Sequence, residues 1–285
     1  MKMSMRILGI VVIILGLAGI VAFSFSNKFE KEIHEQVKES REYSVEKRWV
    51  LPEILEEVSG INFFANDKLA AVQDEDGIIF IYDLAKGEIE REIDFGGNGD
   101  YEAISIKEED AFILRSDGVI FEVKDFLSSP QVTTYEPDLE HSVNFEGLCL
   151  SKKAEKLLLL TKDEDVKNGV KNVYSFNLKS KQFEKDIPFK LETEKGIFKD
   201  YKGSFRPSEI EINPKTGEFY VLDAKHPRLL ILNSTFQVLR LITFDEDEFE
   251  QPEGIGFDTE GRLYISNEAG DSDANILQVE LKPVK

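Results

Sequence analysis

Pro252-Glu-Gly-Ile-Gly-Phe257 is one of five copies of a short phrase, and the copies decide the fold. The others are Val58-Ser-Gly-Ile-Asn-Phe63, Tyr101-Glu-Ala-Ile-Ser-Ile106, Phe145-Glu-Gly-Leu-Cys-Leu150 and Pro207-Ser-Glu-Ile-Glu-Ile212. Marked by their Ser or Glu, they start at Ser59, Glu102, Glu146, Ser208 and Glu253, spaced 43, 44, 62 and 45 residues apart. A period of about 40–50 residues built from short strands is the signature of a β-propeller with one four-stranded blade per repeat.

Each phrase reads as the innermost strand of a blade. A second apolar strand is predicted at Leu69–Gln73, Ala111–Arg115, Leu157–Thr161, Phe219–Leu222 and Leu263–Ser266. After turns rich in Asp, Gly and Asn, a third follows at Ile78–Tyr82, Val119–Val123, Val173–Leu178, Leu229–Leu232 and Ile276–Leu281. Outermost strands are predicted at Glu88–Ile93, Gln131–Tyr135, Gln182–Ile187 and Val238–Phe244. The fifth repeat lacks one, and the alternating stretch Ser44–Leu51 is available to supply it and cover the open edge. The expectation is an all-β, five-bladed propeller over residues 43–285, closed by an N-terminal strand. Phe189–Phe205, in the longest interval, is too short for a sixth blade and reads as an insertion.

Ahead of the propeller, Lys2 and Arg6 precede an uninterrupted apolar run, Ile7–Phe25. At ~1.5 Å per residue a helix there reaches roughly 28 Å, close to the ~30 Å thickness of a bilayer core. A cytoplasmic tip at 1–6, a transmembrane signal anchor at 7–25 and a charged helical stalk at 26–42 are therefore expected. The basic residues place the tip inside and the propeller on the extracytoplasmic side of the membrane, whether or not the segment is cleaved. The formal charge of −20 argues against nucleic acid as a partner, since the phosphate backbone would be repelled. The lone Cys149 excludes an intrachain disulfide and reads as a small core residue.

Candidate chemistry lies where the five phrases begin. The pairs Glu57/Ser59, Asp100/Glu102, Asn144/Glu146, Arg206/Ser208 and Gln251/Glu253 are expected on one side of the strand entrances, because strand side chains alternate with period two. They would ring one mouth of the central channel. Turns after the second strands add Asp74, Asp76, Asp117, Asp163, Asp223 and Asn267 on the same face. Carboxylates crowded in this way repel one another unless they gain protons or hold a cation. Glu102, Glu146 and Glu253 with Asp100 and Asn144 offer the oxygen ligands that Ca²⁺ takes. The alternative is that the glutamates accept backbone N–H bonds between blades. No nucleophile motif, zinc motif or phosphate-binding glycine loop occurs, so no catalytic residue is assigned.

The stretches Glu57-Val-Ser-Gly-Ile61, Asp100-Tyr-Glu-Ala-Ile104, Asn144-Phe-Glu-Gly-Leu148, Pro252-Glu-Gly-Ile-Gly-Phe257 and Leu263-Tyr-Ile-Ser-Asn-Glu268 resemble the SdiA-regulated family of bacterial envelope propellers. The resemblance spans roughly residues 45–282. It implies a five-bladed propeller with bound calcium and no established catalytic activity. This chain departs from the family's usual Glu-Gly at Ala103 and carries Arg206 where an acid is more usual, which weakens the fourth blade as a source of metal ligands. Two readings follow. One is a membrane-anchored, calcium-binding module that recognises a protein or small-molecule ligand at the propeller face. The other is a calcium-dependent hydrolase of lactonase, esterase or phytase type. Arg206, Lys162 and Lys225 are the only bases expected on the acidic face, which favours binding.

Overall fold

The computed structural model describes residues 41–139, 143–151, 155–162, 170–186, 188–193, 196–200 and 204–283. The tip, the anchor and nearly all of the stalk lie outside these residues, as does Asp163. Among the described residues no helix is long and apolar enough to cross a membrane.

In chain order the strands are β1 (Tyr43–Val50), β2 (Val58–Ala65), β3 (Lys68–Gln73), β4 (Ile78–Asp83), β5 (Glu88–Asp94), β6 (Tyr101–Lys107) and β7 (Asp110–Arg115). They continue as β8 (Ile120–Lys124), β9 (Gln131–Tyr135), β10 (Phe145–Ser151), β11 (Lys156–Thr161), β12 (Val170–Asn177), β13 (Gln182–Phe183) and β14 (Phe189–Glu192). The last are β15 (Pro207–Ile212), β16 (Phe219–Asp223), β17 (Arg228–Leu232), β18 (Val238–Thr243), β19 (Pro252–Phe257), β20 (Leu263–Asn267) and β21 (Asn275–Leu281). They form five antiparallel sheets: β2-β3-β4-β5, β6-β7-β8-β9, β10-β11-β12-β13, β15-β16-β17-β18 and β1-β21-β20-β19. The fold is the expected five-bladed propeller, with the N-terminal strand completing the last blade. Innermost strands touch in the cyclic order β2, β6, β10, β15, β19 and back to β2, which closes the ring.

Clustering of contacts divides the chain into Val45–Glu280 and a small unit of Met1–Ser44 with Leu281–Lys285. Within the small unit, the Lys282 N–H donates to the Glu42 carbonyl at 2.8 Å.

The third blade corrects one expectation. Its outer edge is not a single strand over Gln182–Ile187. β13 pairs only with Phe176 and Asn177, and β14 takes the other half of the edge, opposite Val170–Val173. Part of the stretch read as an insertion thus completes the blade.

The core is a ring of wedges between blades, and strand alternation builds it. Ile104 and Ile106 face the first blade, whereas Ala103, one residue earlier, faces the third. Leu148 and Leu150 pack toward the second blade and Cys149 toward the fourth. The inner strands of the second and third blades therefore pack apolar residues on both faces, whereas that of the fourth alternates isoleucine with the buried Glu209 and Glu211. The residue after the mark is small in four blades because the next inner strand crosses there. A Cβ on Gly60 would lie 2.8 Å from Ala103 Cα, and one on Gly147 would lie 2.7 Å from the Ile210 nitrogen.

Candidate functional site

All five phrases contain a β-bulge at the same place. Register shifts fall between Val58 and Gly60, Tyr101 and Ala103, Phe145 and Gly147, Pro207 and Glu209, and Pro252 and Gly254. The unpaired residue is the mark in every case: Ser59, Glu102, Glu146, Ser208 and Glu253. A bulge re-aims its side chain and bends the strand, so five bulges give the same mouth of the channel five such side chains.

The marks divide by chemistry. The Ser59 hydroxyl donates to the Tyr101 carbonyl at 2.6 Å, and the Ser208 hydroxyl to the Pro252 carbonyl at 2.9 Å. Each joins its blade to the residue before the next blade's mark. Glu146 is buried and takes the Lys162 ammonium at 3.0 Å and the Asn144 amide at 3.0 Å. Burial, then the charges of Glu146 and Asp100, raises the Glu102 carboxyl far above its ordinary range, against the pull of Lys162. Glu253 is pushed up to about 8 by burial and by Glu146, with Lys162 again opposing. Burial disfavours the Lys162 ammonium, but Glu146, Glu253 and Glu102 outweigh that and hold it charged.

A second tier comes from the turn after each second strand. There the N–H of Asp74, Ser116, Lys162 and Glu268 donates to the carbonyls of Glu57, Asp100, Asn144 and Gln251 at 2.8–3.3 Å. These bonds tie the residue two before four of the five marks to the turn. They also place Lys162 and Glu268 at the position that Asp74 holds in the first blade. The other turn residues of interest are engaged elsewhere. Asp117 pairs with Arg115 at 2.8 Å, and Asp223, wholly buried, pairs with Arg228. The Gln251 amide donates to the Ala269 carbonyl at 3.1 Å. Asn267 is buried and donates to Asn275 at 3.0 Å, which leaves its Oδ1 without a partner.

Among the described residues one group of carboxylates converges closely enough to share an ion. Oxygens of Glu57, Asp74 and Glu268 all lie within 4.8 Å of one another. Asp74 is raised to about 6 by burial and then by Glu57, Glu75 and Asp100. Glu268 is raised by burial, by its hydrogen bond to Glu57 and by the charges of Glu253, Glu57 and Asp74. Asp74 Oδ1 is buried with no hydrogen-bond partner, a costly state that a cation would relieve. Three carboxylates, one of them with an orphaned oxygen, fit a hard cation. Lys162, Arg206 and Lys225, together with Glu250 and Gln251, line an open recess of about 500 Å³, and through Gln251, whose carbonyl accepts from the Glu268 N–H at 2.9 Å, it adjoins the acidic arc. The sequence pointed to Glu57 and Asp74 separately. Glu268 and the pairing role of Lys162 become visible only when the turns are aligned by distance from the second strand.

The model of the family described as SdiA-regulated matches residues 34–270. No curated protein matches the chain. Among solved structures, Myxococcus xanthus glutaminyl cyclase is similar with a TM-score of 0.62 at 14% identity, covering 85% of this chain and 97% of that one. A PQQ-bound aldose sugar dehydrogenase from Streptomyces coelicolor is similar with a TM-score of 0.53 at 12% identity, covering 84% and 98%. A luciferin-regenerating enzyme gives 0.51 at 9% identity, covering 80% and 94%. At such identities the likeness is one of fold.

Proposed function

This chain belongs to the SdiA-regulated family, and on that premise we propose that it is a membrane-anchored, extracytoplasmic propeller that binds Ca²⁺ and acts as a binding or scaffold module. The convergence of Glu57, Asp74 and Glu268 around the orphaned Asp74 oxygen carries the reading. In it these three carboxylates are the first calcium ligands and Glu253 adjoins them. Glu102, Asp100, Glu146 and Asn144 share the mouth, but Lys162 already balances Glu146 there. The anchor is the apolar segment 7–25, with its basic flank on the cytoplasmic side.

Calorimetric titration of the full-length chain, stripped with EDTA, tests the metal. Ca²⁺ is expected to bind more tightly than Mg²⁺, which demands stricter octahedral geometry. Binding at pH 7 should release protons, because Glu268 is held protonated by its surroundings. Asp74→Asn and Glu268→Gln should each weaken binding at least about tenfold, whereas Glu146→Gln should change it less. Unchanged affinity in the first two variants would sink the assignment.

The hydrolase reading is kept because Lys162, Arg206 and Lys225 line one recess, where they could steady a developing anion. A screen of lactones, carboxyl esters and phosphate esters decides it. Turnover that needs Ca²⁺ and is lost in Asp74→Asn would establish an enzyme.

A further inference from the structure

Away from the channel, the outer edge of the first blade borders an open groove of about 570 Å³, within the ~300–1,000 Å³ of small-molecule sites. Ile89, Glu90 and Arg91 line it as three consecutive residues of β5. Regular alternation would send the middle one to the opposite face. A bulge prevents this: Arg91 pairs with Ile81 and Ile89 with Tyr82, so Glu90 is the extra residue. Leu127, from the β8–β9 turn of the second blade, forms the other bank. It is 40% exposed, and its turn holds it there. Phe126 beside it is fully buried against Phe64, another lining residue, and the Ser128 and Ser129 N–H groups donate to the Asp125 carbonyl at 2.9 and 3.0 Å. Asp125 adopts φ 49, a conformation that normally calls for glycine. An apolar side chain kept in water by a strained turn points to a use for the surface it presents.

The charges in the groove are unequally satisfied. Glu90 takes both Lys68 and Lys86, the second at 2.6 Å, and these bonds hold its carboxyl at about 2. The same lysines approach the buried Asp83 at 3.9 and 3.6 Å. Arg91 differs, because it pairs with no carboxylate among the described residues. Its Nη1 donates to the Leu127 carbonyl, which fixes the guanidinium beside that apolar bank. The edge formed by Nε and Nη2 is left over. In Arg115 that edge holds Asp117 at 3.0 and 2.8 Å, and in Arg228 it holds Asp223. Two parallel N–H donors of this kind match the two oxygens of a carboxylate.

We propose that this groove is a second binding site, and that it takes a small carboxylic acid with an apolar body. The carboxylate sits on the Nε–Nη2 edge of Arg91, and the body covers Leu127, Phe64 and Ile89. An ammonium there would face Arg91 and both lysines, while Glu90 and Asp83 are already engaged and Glu88, 62% exposed, stands in water. A neutral alcohol would forgo the paired charge. The formal charge of −20 disfavours non-specific binding of any anion, so a bound carboxylate needs a local site such as this one. The site does not depend on the calcium reading, since none of its lining residues belongs to the acidic mouth.

The test uses the full-length chain in lipid nanodiscs, with 4-methylpentanoate as the probe and empty nanodiscs as the reference for partitioning into lipid. Saturable binding is expected in a ligand-observed NMR titration at pH 8, with 3-methylbutylammonium at least about tenfold weaker, as a lost charge-assisted pair requires. Arg91→Gln should weaken the acid by a similar factor. Because that change also frees the Leu127 carbonyl and can loosen the turn, Leu127→Glu serves as the second variant. It gives the groove a carboxylate of its own at an exposed position, so binding should vanish while the unfolding midpoint holds. Signals no different from empty nanodiscs, equal affinity for the amine, or acid binding unaffected by Leu127→Glu would overturn the proposal.

Discussion

Lys162 shows how one side chain reshapes the mouth. Its ammonium stands 3.0 Å from Glu146, which is 2% exposed, so removing it takes a cation away from a buried carboxylate. Lys162→Met should cost roughly 2–3 kcal/mol at pH 8, with the usual penalty for breaking a buried ion pair reduced because the lysine is partly solvated and Glu146 keeps the Asn144 bond. At pH 5 the loss should be smaller, because a buried carboxylate that has lost a cationic partner can take up a proton instead. Urea unfolding at both pH values measures the difference, and an equal loss would mean that Lys162 acts by packing alone. The sequence carries this lysine openly but gives no sign of its partner. Period-two counting from the strand puts Glu146 beside Asn144, which the structure bears out with a 3.0 Å bond, yet it cannot foresee a bulge at the mark. Choosing turn residues for their acidity likewise selected Asp117 and Asp223, both bound by arginines, over Glu268.

At the scale of the strand, the inner phrase reads so clearly because each of its positions answers a separate demand. Its apolar residues face two neighbouring blades in alternation, and its glycine admits the next inner strand. Gly147→Ala would place a Cβ 2.7 Å from the Ile210 nitrogen, backbone that cannot step aside. The expected cost is about 1–3 kcal/mol by overpacking. Gly217→Ala serves as the control. It has φ +72 but nothing within 4 Å of a Cβ, so it should cost only about 1 kcal/mol of backbone strain. Denaturant midpoints rank the two, and similar losses would show that the blades are not in close contact at Gly147. Glu209 occupies this position in the fourth blade. It is fully buried, its carboxyl is raised by burial, and it accepts N–H bonds at 2.8 Å from Leu148 and Ile210. A carboxyl thus does in that blade a joining task that the sequence pattern gave no reason to expect. The broken outer edge of the third blade was also hidden, because β13 and β14 are each too short to announce a strand.

For the molecule as a whole, the acidic mouth ties stability to pH. Asp74 at about 6 and Glu253 at about 8 both hold protons in the folded state that the unfolded chain gives up near pH 4. Their contribution is complete below the ordinary carboxylate range and is lost as pH rises through those values, by up to ~1.4 kcal/mol per pH unit for each group. In EDTA the thermal midpoint should therefore fall between pH 5 and 9, and saturating Ca²⁺ should flatten the fall. A flat profile without metal would show that these carboxyls are open to water. The ring was legible from five phrases because repetition multiplies a weak signal, whereas the contents of its mouth differ from blade to blade and gain nothing from repetition. Closure by β1 has a further consequence, in time. Tyr43–Val50 leaves the ribosome before any blade exists, and its neighbour Asn275–Leu281 leaves last. At ~5–20 residues per second the wait is on the order of tens of seconds. Through that interval the finishing strand is an unclaimed edge, the part of the newborn chain that a chaperone would have most reason to shield.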